Sequence, residues 1–244
     1  MHFETVSDAI APLIDDELID EVLYQVKSGK EATLFCCRGG RRAQTDLVAV
    51  KVYKPQQFRS FRNSSMYQEG RVILDQRARR AAAKRTRFGR EVQSTLWTGS
   101  EYETLRSLYR AGSHVPRPLG SSGGAVAMEW IGDEDGPAPQ LKDVHLSGAA
   151  AERLLQVLLA DIELWLACNV VHADLSAYNV LLWGDHPVSI DFPQACDPRA
   201  NVHAQSLLAR DIGNVCRHFA RYGLEADAGA ISADLWERFA RGAL

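Results

Sequence analysis

The run Val171-His172-Ala173-Asp174-Leu175-Ser176-Ala177-Tyr178-Asn179-Val180-Leu181-Leu182 constrains this chain more than any other stretch. An Asp and an Asn five residues apart follow a helix-patterned stretch and precede an apolar, strand-like one, and twelve residues after Asn179 comes Ser189-Ile190-Asp191-Phe192. Two carboxylates and an amide make a set of hard oxygen donors, which suits Mg²⁺. Phosphoryl transfer needs such a set: one carboxylate orients or deprotonates the attacking hydroxyl, while an amide oxygen and a second carboxylate hold Mg²⁺ against the phosphates. An isolated HxDxxxxN arises by chance in any proteome. The downstream Ile-Asp in a strand context is what gives this one weight.

The patterns on either side suggest two unlike halves. Residues 1–20 read as a helical extension, with Ile10, Leu13, Ile14 and Leu18 among acids. Strands are expected over 21–26, 32–37 and 47–53, with turns at Ser28-Gly29-Lys30 and Gly39-Gly40. Residues 54–90 are poor in aliphatics, and Arg77 to Arg90 carries seven basic residues and no acid. This reads as a flexible basic insertion or an exposed basic helix. A helix is expected from about Ser94 to Ala111, ended by Gly112, then strands over 118–120 and 125–130. From about 133 onward helical patterns dominate, over 149–168 and 203–222. The reading is therefore an α+β chain with a β-rich lobe over 21–132 and a helical lobe over 133–244.

Composition excludes several classes. The net charge of -3 does not mark the whole molecule as a nucleic-acid binder. The most apolar stretch, 154–171, is interrupted by Asp161 and Glu163 and reads as a buried helix, so no membrane association is expected. The beginning MHFETVSDAI lacks the basic and apolar regions of a secretory signal. Five cysteines without CxxC spacing argue against a disulfide framework or a zinc knuckle, and a reducing cytoplasm is the expected location.

A second element is Ala49-Val50-Lys51 in the third strand. A lysine on an apolar strand is costly unless paired. The Asp/Asn/Asp pattern compares with the protein-kinase template H-R-D-x-x-x-x-N followed by D-F-G, with Ala173 in place of the arginine and Pro193 in place of the glycine. In that template the strand lysine holds phosphates and pairs with a helix glutamate. Glu101 is the candidate partner; its rival Glu103 lies about 200° away around the helix. A third, weaker element is the Ser28-Gly29-Lys30-Glu31-Ala32 turn, whose hydroxyl and N–H groups could cradle phosphate. It is neither a Walker A loop nor G-x-G-x-x-G.

At these residues the sequence resembles the RIO family of atypical protein kinases. SGKEA, AVKVYK, the helix with Trp97 and Glu101, MEWIGDEDGPAPQLKDV, VHADLSAYNVLL, IDFPQ and HAQSLLARDIGNVCRHF occur in the family's order across residues 21–222. Met128 to Val144 looks most like the RIO1 branch and IDFPQ more like RIO2. Only about twenty residues precede the first strand, too few for the winged-helix domain of RIO2, so a compact, bacterial-type RIO1-like member is expected. The resemblance implies a two-lobed kinase-like fold without an activation segment, and no A-P-E follows Asp191. It implies ATP and Mg²⁺, with Asp174 as catalytic base, Asn179 and Asp191 on the metal, and Lys51 and Glu101 as an ion pair. Ser28 and Lys30 fall in the phosphate loop. Met128, Glu129 and Ile131 form a hinge contacting adenine, with backbone groups of Glu129 and Ile131 as donor and acceptor. Some family members form a phosphoaspartate at the position of Asp191 and are thought to act as ATPase switches in ribosome assembly.

The function expected is Mg²⁺-dependent transfer of the ATP γ-phosphate to a serine or threonine of a protein substrate, of the chain itself, or to its own aspartate. A nucleotide-binding scaffold and a small-molecule kinase of the aminoglycoside or choline type are the alternatives. The intact Lys51, Asp174, Asn179 and Asp191 weigh against the scaffold, and the continuous RIO text against the small-molecule kinase. His172 reads as a scaffold hydrogen-bonder, His203, Arg210 and Asp211 as lobe packing, and Trp97, Trp165 and Trp183 as core. A solvated loop is the plain reading of Arg77 to Arg90; RNA or a ribosomal particle is its functional counterpart.

Overall fold

The computed structural model describes the backbone of residues 3–54 and 87–244, and side chains from 6 to 54 and from 98 onward. In chain order the elements are α1 (Phe3–Asp15), β1 (Ile19–Ser28), β2 (Ala32–Gly39), β3 (Leu47–Tyr53), α2 (Arg87–Arg110), β4 (Pro118–Ser122) and β5 (Ala125–Glu129). There follow the short strands β6 (Gly132–Asp133) and β7 (Gly136–Pro137), a 3-10 turn (Leu141–Asp143), α3 (Gly148–Ala167), the pair β8 (Val180–Trp183) and β9 (His186–Ser189), α4 (Ala204–Ala220) and α5 (Ala228–Ala240). Among the described residues the chain divides into two compact units, one taking in 3–54, 87–106 and 117–133, the other 107–116 and 134–244.

The first unit is an antiparallel sheet in the order β1-β2-β3-β5-β4. Side chains alternate across a strand. Val48, Val50 and Val52 of β3 therefore share one face with Phe35 and Cys37 of β2 and Ala125 and Ala127 of β5. The amphipathic α1 lays Ile10 and Leu13 on that face, and the Ser122 hydroxyl donates to Ala9 O (2.6 Å). Ala49 and Lys51 consequently belong to the opposite face. There Cys36, Ala49 and Met128 form one cross-strand row, and Leu34, Lys51 and Val126 the next.

The second unit is helical with one hairpin. Ser147 caps α3, accepting from Ala150 N–H (3.3 Å). The buried side of this helix carries Leu154, Leu158, Ile162, Trp165 and Leu166. Asp161 lies in that apolar row without being orphaned: its carboxylate accepts from the Ser113 hydroxyl (2.9 Å), His114 N–H (3.2 Å) and His114 Nδ1 (3.0 Å). Among the described residues no helix is long and apolar enough to cross a membrane.

The structure corrects two sequence expectations. The helix bearing Glu101 begins at Arg87, not near Ser94, so Arg87 to Arg90 are its first turn and not part of a loop. No acid marks that first turn, so the charge signal of a helix start is missing. The rest of the expected basic insertion, 55–86, lies outside the described residues. Trp183 is not core: it sits at the β8–β9 turn, 44% exposed, whereas Trp165 is buried as expected; the side chain of Trp97 lies outside the described residues.

Candidate active site

In the first unit, β3 delivers Lys51 to the face away from α1, and α2 presents Glu101 to it. Lys51 Nζ donates to Glu101 Oε1 at 2.8 Å, with the glutamate side chain 1% exposed and the lysine 14%. The buried Tyr53 hydroxyl donates to Glu101 Oε2, and Lys51 Nζ stands 5.3 Å from the Tyr53 ring centroid. Glu103 instead pairs with Arg106 on the surface, as its helical angle dictates.

The Ser28-to-Glu31 turn closes through Gly29 N–H to Ala32 O (2.9 Å). Ser28 Oγ lies 3.1 Å from the hydroxyl of the buried Thr33, and Lys30 is exposed in the turn. Lys54, which the sequence did not single out, holds the turn from the end of β3: its ammonium donates to Gly29 O and its N–H to Glu31 O (2.8 Å). The hinge differs in detail from the sequence expectation. Glu129 N–H donates to Arg117 O (2.8 Å) within the β4–β5 pairing, so it is not the donor for a base. Ile131 follows directly after the strand residue Glu129 and Trp130, and Met128 ends the Cys36–Ala49 row.

In the second unit, the catalytic loop is held by the helix α4. Ala173 takes a left-handed conformation (φ 66°), which an L-residue with a Cβ adopts only under constraint. The constraint is Asp211: Oδ2 accepts from Ala173 N–H (2.7 Å) and Oδ1 from Leu175 N–H (3.0 Å). Burial pushes the Asp211 carboxyl up to about 7, against the two amide bonds and the Arg210 charge that favour the anion. Arg210 donates to Ala173 O, and Asn214 Nδ2 to Leu175 O (3.0 Å). Arg210 and Asp211 are thus not lobe packing, as the sequence suggested, but the clamp of the loop that carries Asp174.

The same loop is tied to the segment bearing Asp191. Ile190 N–H donates to Asn179 O (2.9 Å). His172 Nδ1 accepts from Asp174 N–H (3.3 Å), which puts the ring proton on Nε2, facing Ile190 O at 3.2 Å. Both polar atoms of His172 are spent on backbone, and its ring packs on Phe192 with centroids 4.4 Å apart; it is the scaffold residue expected. Asn179 Nδ2 donates to Asp174 O (2.9 Å), which leaves the amide oxygen as the atom not used in that bond. Asp191 is itself left-handed (φ 71°). The Asp174 carboxyl is raised by burial first and by the charge of Asp191 second, while Arg210 lowers it. Two carboxylates close enough to feel each other, beside an amide oxygen, repel without a cation between them. This donor set fits Mg²⁺, which takes few protein oxygens and fills its shell with water and phosphate. Among the described residues no group of three or more His, Cys, Asp or Glu is arranged to hold a metal alone.

The predicted residues thus fall into two sets, each assembled within its own unit: Ser28, Lys30, Lys51, Glu101, Met128, Glu129 and Ile131 in one, Asp174, Asn179 and Asp191 in the other.

Residues 33–231 match the family model of the RIO domain. The chain is 34% identical over 184 residues to the RIO-type serine/threonine-protein kinase Rio1 of Thermoplasma acidophilum, covering 75% of this chain and 90% of that protein. It is 30% identical over 223 residues to the Rio1 kinase of Haloferax volcanii, covering 91% and 71%. Against human serine/threonine-protein kinase RIO3 it is 26% identical and spans 41% of that protein's length. Among solved structures, the Rio2 kinase of Chaetomium thermophilum, in an ADP/Mg²⁺-phosphoaspartate complex, superposes with a TM-score of 0.72 at 19% identity, covering 96% of this chain and 66% of that one. The fold is therefore the two-lobed, kinase-like α+β fold expected.

Proposed function

The chain belongs to the RIO domain family, and from that premise we propose that it is an atypical serine/threonine-protein kinase using ATP and Mg²⁺. The observation that carries the reading is the buried Lys51–Glu101 pair in one unit together with the clamped Asp174, Asn179 and Asp191 in the other.

Each residue then has a task. Lys51, oriented by Glu101, would hold phosphate oxygens, and the Ser28-to-Lys30 turn, braced by Lys54, would offer them its hydroxyl and N–H groups. With Glu129 N–H engaged by Arg117, base recognition falls to Glu129 O as acceptor and Ile131 N–H as donor, beside Met128. Asn179 and Asp191 would hold Mg²⁺, which would neutralise the phosphate oxygens when bound. Asp174 accepts a hydrogen bond from the attacking hydroxyl and then its proton; burial and the charge of Asp191 raise its basicity for that work. The five cysteines form no disulfide, in keeping with a reducing, cytoplasmic setting, which is also proposed. A polyanion partner for Arg77 to Arg90 rests on sequence alone.

Incubation with γ-phosphate-labelled ATP and Mg²⁺, alone and with a generic protein acceptor, tests the reading. Acid-stable phosphoserine or phosphothreonine is expected. Hydroxylamine-labile label on the chain, lost in Asp191→Asn, would mark transfer to its own aspartate. Absence of both labels and of ATP hydrolysis refutes the assignment.

A further inference from the structure

Two arginines beside the catalytic loop, like Arg110 and Arg153 elsewhere on the surface, lack among the described residues the carboxylate partner that most surface arginines have. Arg38, Arg41, Arg106, Arg199, Arg238 and Arg241 each face a carboxylate. Arg217 and Arg221, exposed and one helical turn apart at the end of α4, face none among the described residues. Their bonds go to neutral groups that lead back to the loop. Arg217 Nη1 donates to Asn214 Oδ1 (3.0 Å), and Asn214 Nδ2 donates to the carbonyl of Leu175, the residue after Asp174 (3.0 Å). Arg221 Nη2 donates to the Tyr222 hydroxyl (2.9 Å) and to Val144 O (3.3 Å), with its guanidinium 5.0 Å from the Tyr222 ring centroid.

Val144 ends the segment that borders the other side of the loop. There Lys142 N–H donates to Ala177 O (3.1 Å), and Lys142 Nζ stands 5.2 Å from the ring centroid of Tyr178, which is 61% exposed. Asp143 balances Lys142 (2.6 Å), so the two arginines supply the net charge of this rim. His218 lies between them, and its pKa is lowered by burial and then by Arg221, as unbalanced positive charge requires.

We propose that Arg217 and Arg221 border the phosphoacceptor site and select protein segments with Asp or Glu beside the serine or threonine. This rests on the kinase reading above and names the substrate class of that site. Two fixed point charges beside the loop that would take the acceptor hydroxyl match acidic side chains flanking it. Nucleic acid is the weaker match, because the Tyr178 ring, the one exposed aromatic on the loop, is already faced by the Lys142 ammonium.

The test uses the full chain with Mg²⁺, a non-hydrolysable ATP analogue and labelled serine peptides flanked by Glu, Ala or Lys, followed by fluorescence anisotropy. Exposed ion pairs contribute about two- to fivefold each, so the Glu peptide should bind roughly tenfold more tightly than the Ala peptide at low salt. R217E/R221E should invert the order toward the Lys peptide, while R217K/R221K, which keeps the charge, retains the Glu preference. Equal binding of the three peptides overturns the proposal, as does a Glu preference unchanged in R217E/R221E. Tighter, arginine-dependent binding of a short oligo(U) assigns the rim to nucleic acid and also overturns it. Melting curves of each variant exclude misfolding as the cause. ATP turnover without peptide is measured in the same preparations: its absence strikes the kinase reading and leaves the peptide-binding result standing.

Discussion

Replacing Lys51 with Met should destabilise the protein before any substrate is added. Glu101 is 1% exposed, and its carboxylate receives Lys51 Nζ at 2.8 Å and the Tyr53 hydroxyl. Removing one partner of a buried pair costs about 3–5 kcal/mol because the other charge stays buried. The Tyr53 bond survives, and the 14% exposure of Lys51 gives some access to water, so the cost should lie near the lower end, about 3 kcal/mol. At about 2–4 °C per kcal/mol for a chain of this size, the melting temperature should fall by roughly 6–12 °C. Lys51→Met/Glu101→Leu removes both charges and should recover about 2 kcal/mol of that loss, since apolar replacement of a buried pair is near neutral. The remainder reflects the Tyr53 hydroxyl, which has lost its acceptor, and Tyr53→Phe in that background should restore most of it. Urea and thermal unfolding followed by circular dichroism give these differences, and ATP turnover should be absent throughout. If Lys51→Met alone unfolds like the wild type, or if the double variant is as unstable as the sum of its singles, the pair is not a buried, coupled one and the argument fails.

Asp174→Asn should abolish transfer while nucleotide affinity stays within about threefold, since its task is the acceptor proton; Asp191→Asn should also weaken Mg²⁺-dependent binding, and equal effects in calorimetry with and without Mg²⁺ would contradict the division. Asp211→Asn leaves a single carbonyl oxygen for two backbone donors, so turnover should fall at least about tenfold with a stability loss of about 1–3 kcal/mol; unchanged turnover in the folded variant would refute the clamp. The pKa of His218 is lowered on folding, so the unfolded chain binds the proton first: its contribution is intact above the ordinary histidine value and is lost as pH falls below about 6.5. His218→Leu should flatten the fall of the unfolding midpoint below that pH, and identical pH profiles for the two proteins would exclude His218 as its source.

What the sequence made legible was local. Asp174 and Asn179 lie on one short loop, and Lys51 stands out as the one charged residue on an apolar strand. The helical angle separates Glu101 from Glu103, and the structure pairs Glu101 with Lys51 and Glu103 with Arg106. Less was visible where a role depends on a distant element or on which backbone group is already bonded. Nothing in the residues 117–131 says that Glu129 N–H will be taken by Arg117 O. Lys54 lies just past β3, and only the turn closing onto it shows that its ammonium holds Gly29 O. The start of α2 at Arg87 is hard to place because the run of arginines carries no acidic first turn.

Asp211 was the hardest residue to read. Its partners are 36 and 38 positions away, and a polar residue at that point of an amphipathic helix is equally compatible with packing. The same contact explains the departure from the kinase template. Where the template has arginine, this chain has Ala173, which takes no cation to the loop. Arg210, the neighbour of Asp211 on α4, places its guanidinium on the Ala173 carbonyl and its charge near Asp174, whose raised carboxyl it lowers. The positive charge missing from the loop is thus supplied from the helix that clamps it. Arg210→Ala should therefore raise the Asp174 pKa further and shift the acid limb of the pH–rate profile upward. Arg210→Lys should largely restore that limb, and a limb that does not move in Arg210→Ala would show that the helix arginine has no electrostatic part in the chemistry.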